Sequence, residues 1–294
     1  MAKAFLSDRG IIRVSGEDAR SFLQGLLTAD MDRVAVDRPA FAGLLTPQGK
    51  LIADMIVAEA DGEWGGDLFL DVPRALAPDL VKRLTMYKLR AKVTIEDLSA
   101  TGGVAVFYQG DLPPDEAGVT YPDPRLPELG TRLIAEAEWL RNETFDSEEN
   151  WQSHRIALGV PEGGKDFIYS DVFPHEANMD QLHGIAFDKG CYVGQEVVSR
   201  MQHRGTARTR VMPVMYPEGF AAGEGCDIVA GDKAIGRTCT QITGGIGMAI
   251  VRLDRYADAL AAGVPVLAGG IPVALRKPQW ARFPFPGEAI KPDA

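Results

Sequence analysis

The residues with the most chemical potential in this sequence lie together at Lys189–Glu196, KGCYVGQE. Gly190 and Gly194 bracket Cys191, Tyr192 and Val193, so the backbone there can adopt conformations closed to residues with a side chain. A helix is expected just after, over Gln195–Gln202. Its N-terminal dipole, together with the ammonium of Lys189, would favour a thiolate at Cys191. A buried, inert cysteine in a tight turn is written with the same letters, and local chemistry leaves both readings open.

Other candidates carry less. Cys226 and Cys239 complete a set of three cysteines with no CxxC, so neither a disulfide framework nor a self-contained zinc or iron–sulfur site is encoded. The histidines (His154, His175, His183, His203) lack HExxH spacing, and no permanent metal site is expected. Gly159–Lys165, GVPEGGK, fits the opening of a phosphate-binding loop. However, Asp166 stands where Ser or Thr should reach magnesium, and the segment follows a helix, so it reads as a turn. Between Lys189 and Arg210 the chain carries Lys189, Arg200, Arg204, Arg208 and Arg210 against one carboxylate, Glu196. That is either a seat for an anionic ligand of modest size or a solvated basic face.

The elements that must position these residues are legible in part. Ser15 and Asp18 suggest a capped helix over Glu17–Leu27, with Ala19, Phe22, Leu23, Leu26 and Leu27 on one face. Ala40–Leu45 and Leu51–Ala58 read as strands joined by the turn TPQGK, a hairpin. Leu68–Val72, Val93–Ile95 and Val104–Phe107 have strand character, and Leu76–Arg90 and Glu148–Leu158 helical character. Asp111–Pro127 is rich in Pro, Asp and Gly and reads as a surface excursion. After Arg210 the texture changes to short strands with Gly-rich turns, the pattern of a small β-barrel. The expected organisation is an α+β body over residues 1–206, as one region or as two interleaved subdomains, a β-barrel over 207–282 and a tail over 283–294, PFPGEAIKPDA forming a strap or a disordered end.

Bulk properties bound the function. A chain of 294 residues, 46% hydrophobic and 24% charged, is an ordinary globular sequence. Its net charge of −10 argues against wholesale nucleic-acid binding. No apolar run approaches a membrane span, and Asp8 and Arg9 stand where a signal peptide would need its apolar stretch. A cytoplasmic location, without membrane or nucleic-acid partners, is the expectation.

KGCYVGQE, with the following VVSRMQHRGTARTR, resembles the signature of the YgfZ-type folate-binding proteins, relatives of the glycine-cleavage T-protein (GcvT, an aminomethyltransferase). The likeness covers most of the chain. Val14–Asp30 resembles that family's first helix and Leu44–Val57 its hairpin. Phe173–Glu196 resembles its most distinctive block, and Ile235–Asp254 its C-terminal barrel. The resemblance implies a GcvT/YgfZ-like folate-binding body around a central cavity, followed by a small barrel. It implies a tetrahydrofolate site to which Asp54, Glu176, Lys189, Tyr192, Gln195 and Arg200 contribute. Glu176, in PHEAN, falls where the family places a pterin-binding glutamate, and a carboxylate suits the pterin's adjacent N–H donors. An exposed loop glutamate is the plain alternative. Cys191 is implied as the functional residue, with a role in supporting assembly or repair of iron–sulfur client proteins. Asp54 matches the second member of an Asp-Asp pair in the T-protein hairpin, but Ala53 precedes it here. That departure weakens the other reading, a folate-dependent aminomethyltransferase or demethylase in which Asp54 assists protonation at the folate nitrogen. A non-catalytic module with a vestigial folate site is a third.

Overall fold

The alternation that marks the hairpin in sequence sets the architecture around it. The computed structural model describes residues 2–114, 117–205, 207–242 and 244–287. These divide into two compact units, Met1–Gln152 with Leu182–Ser199, and Ser153–Gln181 with Arg200–Ala294. The division is interleaved, the second unit taking Ser153–Gln181 together with the residues from Arg200 onward. Residue 206 and residues 288–294 of the expected tail lie outside the described residues.

The first unit runs β1 (Ala2–Leu6), β2 (Arg9–Ser15), α1 (Ala19–Gln24), β3 (Ala40–Leu45), β4 (Leu51–Glu59), β5 (Leu68–Pro73), α2 (Ala77–Lys88), β6 (Thr94–Asp97), β7 (Gly102–Tyr108), β8 (Val119–Pro122), β9 (Thr131–Glu136) and α3 (Ala137–Asn142). It holds a five-stranded sheet in the order β3-β4-β5-β2-β6 and a four-stranded sheet in the order β1-β7-β9-β8. Along β4, Ala53, Met55 and Val57 enter a core with Leu23, Leu27, Leu80 and Leu84 from the two helices. Strand alternation therefore turns Asp54 and Ile56 to the opposite face.

That opposite face carries buried charge. Asp71 on β5 accepts from Arg9 Nε at 2.6 Å, Arg132 at 2.5 Å and the Tyr121 hydroxyl at 3.1 Å. Asp123 accepts from Arg125 Nε at 2.9 Å, from its terminal nitrogen at 2.6 Å, and from Arg132 Nε at 3.0 Å. The expected surface excursion at Asp111–Pro127 is thus corrected in its second half, because Tyr121, Asp123 and Arg125 are buried. Each carboxylate meets two guanidinium groups, which offsets the desolvation that would otherwise keep the segment outside.

Two local expectations also change. Ser15 ends β2 and does not cap α1; the cap position is Asp18, without a side-chain cap bond. Gly16 makes the intervening turn at φ +108°, where a Cβ would lie 2.3 Å from the Lys92 carbonyl oxygen. The helix is six residues long, and the chain from Gly25 onward is held by other means, described below.

The remaining elements are α4 (Glu148–Leu158), α5 (Gln195–Arg204), β10 (Thr209–Met215), β11 (Asp227–Ala230), β12 (Lys233–Ile242), β13 (Ile246–Arg252), α6 (Leu253–Ala261), β14 (Val266–Ala268), β15 (Ile271–Pro272) and β16 (Ala274–Leu275). The barrel strands follow the order β15-β14-β11-β12-β13-β10-β16, all antiparallel. Helix α6, not foreseen in the sequence, buries Leu253, Tyr256 and Ala259 against them. Phe283 and Phe285, at the start of the expected tail, pack on the same core as a strap. Gly159–Lys165 is a closed turn. The Gly164 amide donates to the Phe167 carbonyl and the Lys165 amide to that of Glu162, so these donors are engaged within the chain. No helix among the described residues is long and apolar enough to cross a membrane.

Candidate functional site

The KGCYVGQE segment is a loop pinned on both sides of its cysteine. Lys189 is 8% exposed, and its ammonium donates to the carbonyls of Gln24 at 2.7 Å, Leu27 at 2.8 Å and Ala29 at 2.7 Å. These are carbonyls at and just past the end of α1, where a helix leaves acceptors without intrahelical partners. Burial pushes the ammonium down to about 8, while Asp30 and Asp32 pull the other way. On the far side, Tyr192 is buried with its ring 5.3 Å from the Lys189 ammonium, and burial pushes its phenol up to about 12. Between these two anchors, Gly190 and Cys191 are exposed.

This geometry resolves the sequence's open question about burial: Cys191 is exposed, not a buried packing residue. It also changes the role of Lys189. An ammonium has three donors, and here all three are engaged by main-chain carbonyls, so none is left for a folate group or the Cys191 sulfur.

Glycines fix the loop against the hairpin. Gly194 has φ +84°, and a Cβ there would lie 2.6 Å from the Thr46 carbonyl oxygen. Gly49, in the hairpin turn, has φ +79°, and its Cβ would lie 2.8 Å from Cβ of Val197. The two turns lie closer than side chains would permit. Gly190, by contrast, has nothing within 4 Å of a built Cβ.

A cleft of about 430 Å³ opens in the same unit, between segments 29–41 and 183–188. Thr28 ties its walls together: its hydroxyl donates to the Gly184 carbonyl at 2.5 Å and accepts from the Gly43 amide at 2.7 Å. The Ala186 amide donates to the Thr28 carbonyl at 2.9 Å. Arg33 pairs with Asp30 at 3.1 Å and Asp188 at 2.5 Å across the opening. Arg38, Phe41, His183 and Phe187 complete the chemically distinctive lining. Phe41 is also ridden by the Arg125 guanidinium, 5.5 Å from its centroid. His183 has φ +61°, uncommon for a residue with a side chain.

The expected site residues are divided between the two units. Asp54 is buried and pairs with Gly43 in the register that pairs Phe41 with Ile56. It therefore shares a sheet face with Phe41, two residues along, roughly 7 Å. Asp188, a cleft wall, precedes Lys189, Cys191, Tyr192 and Gln195 in one continuous segment, and Gln195 is half-buried at the start of α5. Glu176 and Arg200 belong to the second unit. Glu176 is half-buried, and one of its oxygens accepts from the Phe173 amide at 2.8 Å; Arg200 is exposed on α5. Arg33, Arg38, Phe41, His183 and Phe187 were missed because the walls are about 150 residues apart in sequence. Only the residue types of His183 and the 29–41 arginines were available as signals.

Residues 208–283 match the family model described as CAF17, C-terminal beta-barrel domain. Most of the chain aligns with an iron–sulfur cluster assembly factor IBA57 homolog, mitochondrial, from Pyricularia oryzae, at 31% identity over 294 residues, covering 90% of this chain and 75% of that one. The chain belongs to the IBA57 family. A second IBA57 homolog, from Mycosarcoma maydis, is 34% identical over 224 residues, covering 71% of this chain and 55% of the relative. The chain spans between 54% and 60% of the length of three such IBA57 relatives. The structure of glycine cleavage system aminomethyltransferase T from Bartonella henselae superposes with a TM-score of 0.74 at 14% identity, covering 97% of this chain and 87% of that one. The expected α+β GcvT-like fold with a C-terminal barrel is therefore the observed one. One expectation is overturned. A cytoplasmic location rested on the absence of a leader-like run, yet the IBA57 relatives are named as mitochondrial proteins.

Proposed function

We propose that this IBA57-family protein supports the assembly or repair of iron–sulfur proteins, with Cys191 as its reactive group and a reduced folate as its ligand, in the manner of the YgfZ branch. The observation that carries the reading is the exposed Cys191, held between the buried anchors Lys189 and Tyr192. A thiol needed only for packing has no reason to be presented this way. The client or assembly proteins are its macromolecular partners.

Folate is supported by the character of the cleft. Its volume of about 430 Å³ falls in the range of small-molecule sites, which are apolar with a few placed polar groups. Phe41 and Phe187 offer faces for a flat heterocycle or the aminobenzoyl ring. Arg38 and His183 offer donors to carboxylates, and Asp54 lies on the same sheet face as Phe41. Glu176, in the second unit, is the pterin carboxylate that the family resemblance implies, and one of its oxygens accepts from the Phe173 amide. Lys189 positions the loop and does not hold the ligand; Tyr192, Gln195 and Arg200 follow the cysteine as loop anchor and helix. When bound, the folate supplies a carrier for one-carbon groups. Aminomethyl transfer is disfavoured here by Ala53, which stands where an Asp-Asp pair would have its first member.

Cells lacking the protein should regain iron–sulfur enzyme activity with the wild type and not with Cys191→Ala. Full rescue by the alanine variant would remove the thiol from the mechanism. Titration with tetrahydrofolate tests the ligand separately. Glu176→Ala should weaken binding by roughly 10- to 150-fold, the equivalent of about 1.5–3 kcal/mol for a lost charge-assisted contact. Unchanged affinity would place the pterin elsewhere.

A further inference from the structure

Helix α2 ends in a feature that neither the core nor the candidate site uses. Leu80 and Leu84 are buried under its inner face. Its outer C-terminal end displays Met86 at 74%, Tyr87 at 36% and Leu89 at 88% exposure. Single apolar residues on a surface need no explanation; three within four positions at one helix end do.

The backbone gives a second observation. Leu89 sits at φ 45° and ψ −103°, and the Ala91 amide closes the turn on the Lys88 carbonyl at 2.8 Å. This is the first central position of a type II′-like turn, which glycine fills without strain and leucine does not. The strain holds outward the most exposed large apolar side chain among the described residues, and strain of this kind collects at functional positions.

Charge completes the pattern. Between residues 80 and 95 the chain carries Lys82, Arg83, Lys88, Arg90 and Lys92 and no carboxylate, in a protein of net charge −10. Lys82 pairs with Asp79 and Lys92 with Glu17, both at the surface. Arg83, Lys88 and Arg90 have no carboxylate partner among the described residues. On the helix, Lys82 and Arg83 lie four and three positions before Met86, so they flank it.

We infer that the end of α2 is a docking knob for a partner protein, one presenting an apolar pocket rimmed by Asp and Glu. Met, Tyr and Arg are the residues enriched where interfaces concentrate their affinity. A protein fits better than a bilayer. Stable attachment to a membrane takes more than a few side chains, and the net negative charge of the whole molecule opposes an anionic surface.

The test uses the full chain with a benzophenone amino acid at position 86, and at Leu112 as an equally exposed apolar control. Irradiation in cells should give one protein adduct at position 86 and none at 112, mapping to a peptide rich in Asp and Glu. That protein, purified, should bind the wild type, and binding should fall at least about tenfold with Arg83→Glu plus Arg90→Glu and on raising salt. Leu89→Gly separates docking from folding: it should keep or raise the thermal midpoint while also weakening the partner at least about tenfold. Unchanged binding by these variants would overturn the inference. So would an adduct only to a second copy of this chain, equal adducts at both positions, no adduct, or sedimentation with phosphatidylserine vesicles that the charge reversal abolishes.

Discussion

At the scale of the residue, the loop around Cys191 joins opposite demands in adjacent positions. Cys191 is exposed while Lys189 and Tyr192 are buried. Alkylation of the native protein should therefore label Cys191 ahead of Cys226 and Cys239, with peptide mass spectrometry giving the order. Cys239 is half-buried and its thiol is pushed up to about 12 by burial and by Asp166, which leaves little thiolate near neutrality. Prior labelling of Cys239 would contradict the geometry. Lys189 should matter to stability more than its charge suggests. Lys189→Ala leaves three carbonyls at the end of α1 without their donor, at about 1–3 kcal/mol for an unsatisfied buried group. A loss of about 2–4 kcal/mol in urea unfolding is expected, against less than about 0.5 kcal/mol for the exposed Cys191→Ala. Equal midpoints for the two variants would mean that water takes over the carbonyls.

At the scale of the element, the contact between the hairpin turn and the signature loop depends on hydrogen in place of a side chain. Gly194→Ala should cost about 1–3 kcal/mol, because it adds a contact 2.6 Å from the Thr46 carbonyl oxygen to a backbone at φ +84°. Gly190→Ala, with open space around it, should stay within about 0.5 kcal/mol. Comparable losses at both positions would show that the loop does not seat on the hairpin. The two glycines look alike in the string KGCYVGQE, and only the folded backbone separates them. Elements with strong internal patterns were legible: the hairpin at residues 40–58, the helix Glu148–Leu158 and the barrel texture after Arg210. Strand β9 was missed because its short apolar run, Leu133 to Ala135, follows a Pro- and Asp-rich stretch that reads as surface. Helix α6 was missed because a nine-residue helix among barrel strands is chosen by the core it covers. The cleft has no linear signal, since Thr28 joins walls that sequence spacing does not bring together.

At the scale of the whole molecule, the buried charges join the two sheets of the first unit. The guanidinium groups of Arg125 and Arg132 hold the Asp123 carboxyl at about 2, against the desolvation that would raise it. The folded state thus binds this proton more weakly than the unfolded chain, in which an aspartate titrates near 4. The contribution is fully present above that value and is lost as pH falls through about 2, amounting to about 2 kcal/mol. Acid unfolding followed between pH 5 and 1.5 should show this loss. Asp123→Asn should be less stable at pH 7 and should have a shallower acid slope, because the neutral amide has no proton to gain. An unchanged slope would mean that Asp71 alone carries the acid sensitivity.

The interleaved course of the chain also orders events during synthesis. The first unit breaks off at Gln152 and receives its last piece only with Leu182–Ser199. That piece brings the Lys189 ammonium to the end of α1, a helix made some 165 residues earlier. A nascent chain that has emerged only as far as residue 180 contains the residues of both sheets of the first unit and of helix α1, but no Lys189 to cover the carbonyls and no Cys191. The thiol therefore reaches its exposed position in the same step that completes the body beneath it, so an immature or truncated chain has no seat from which to display it.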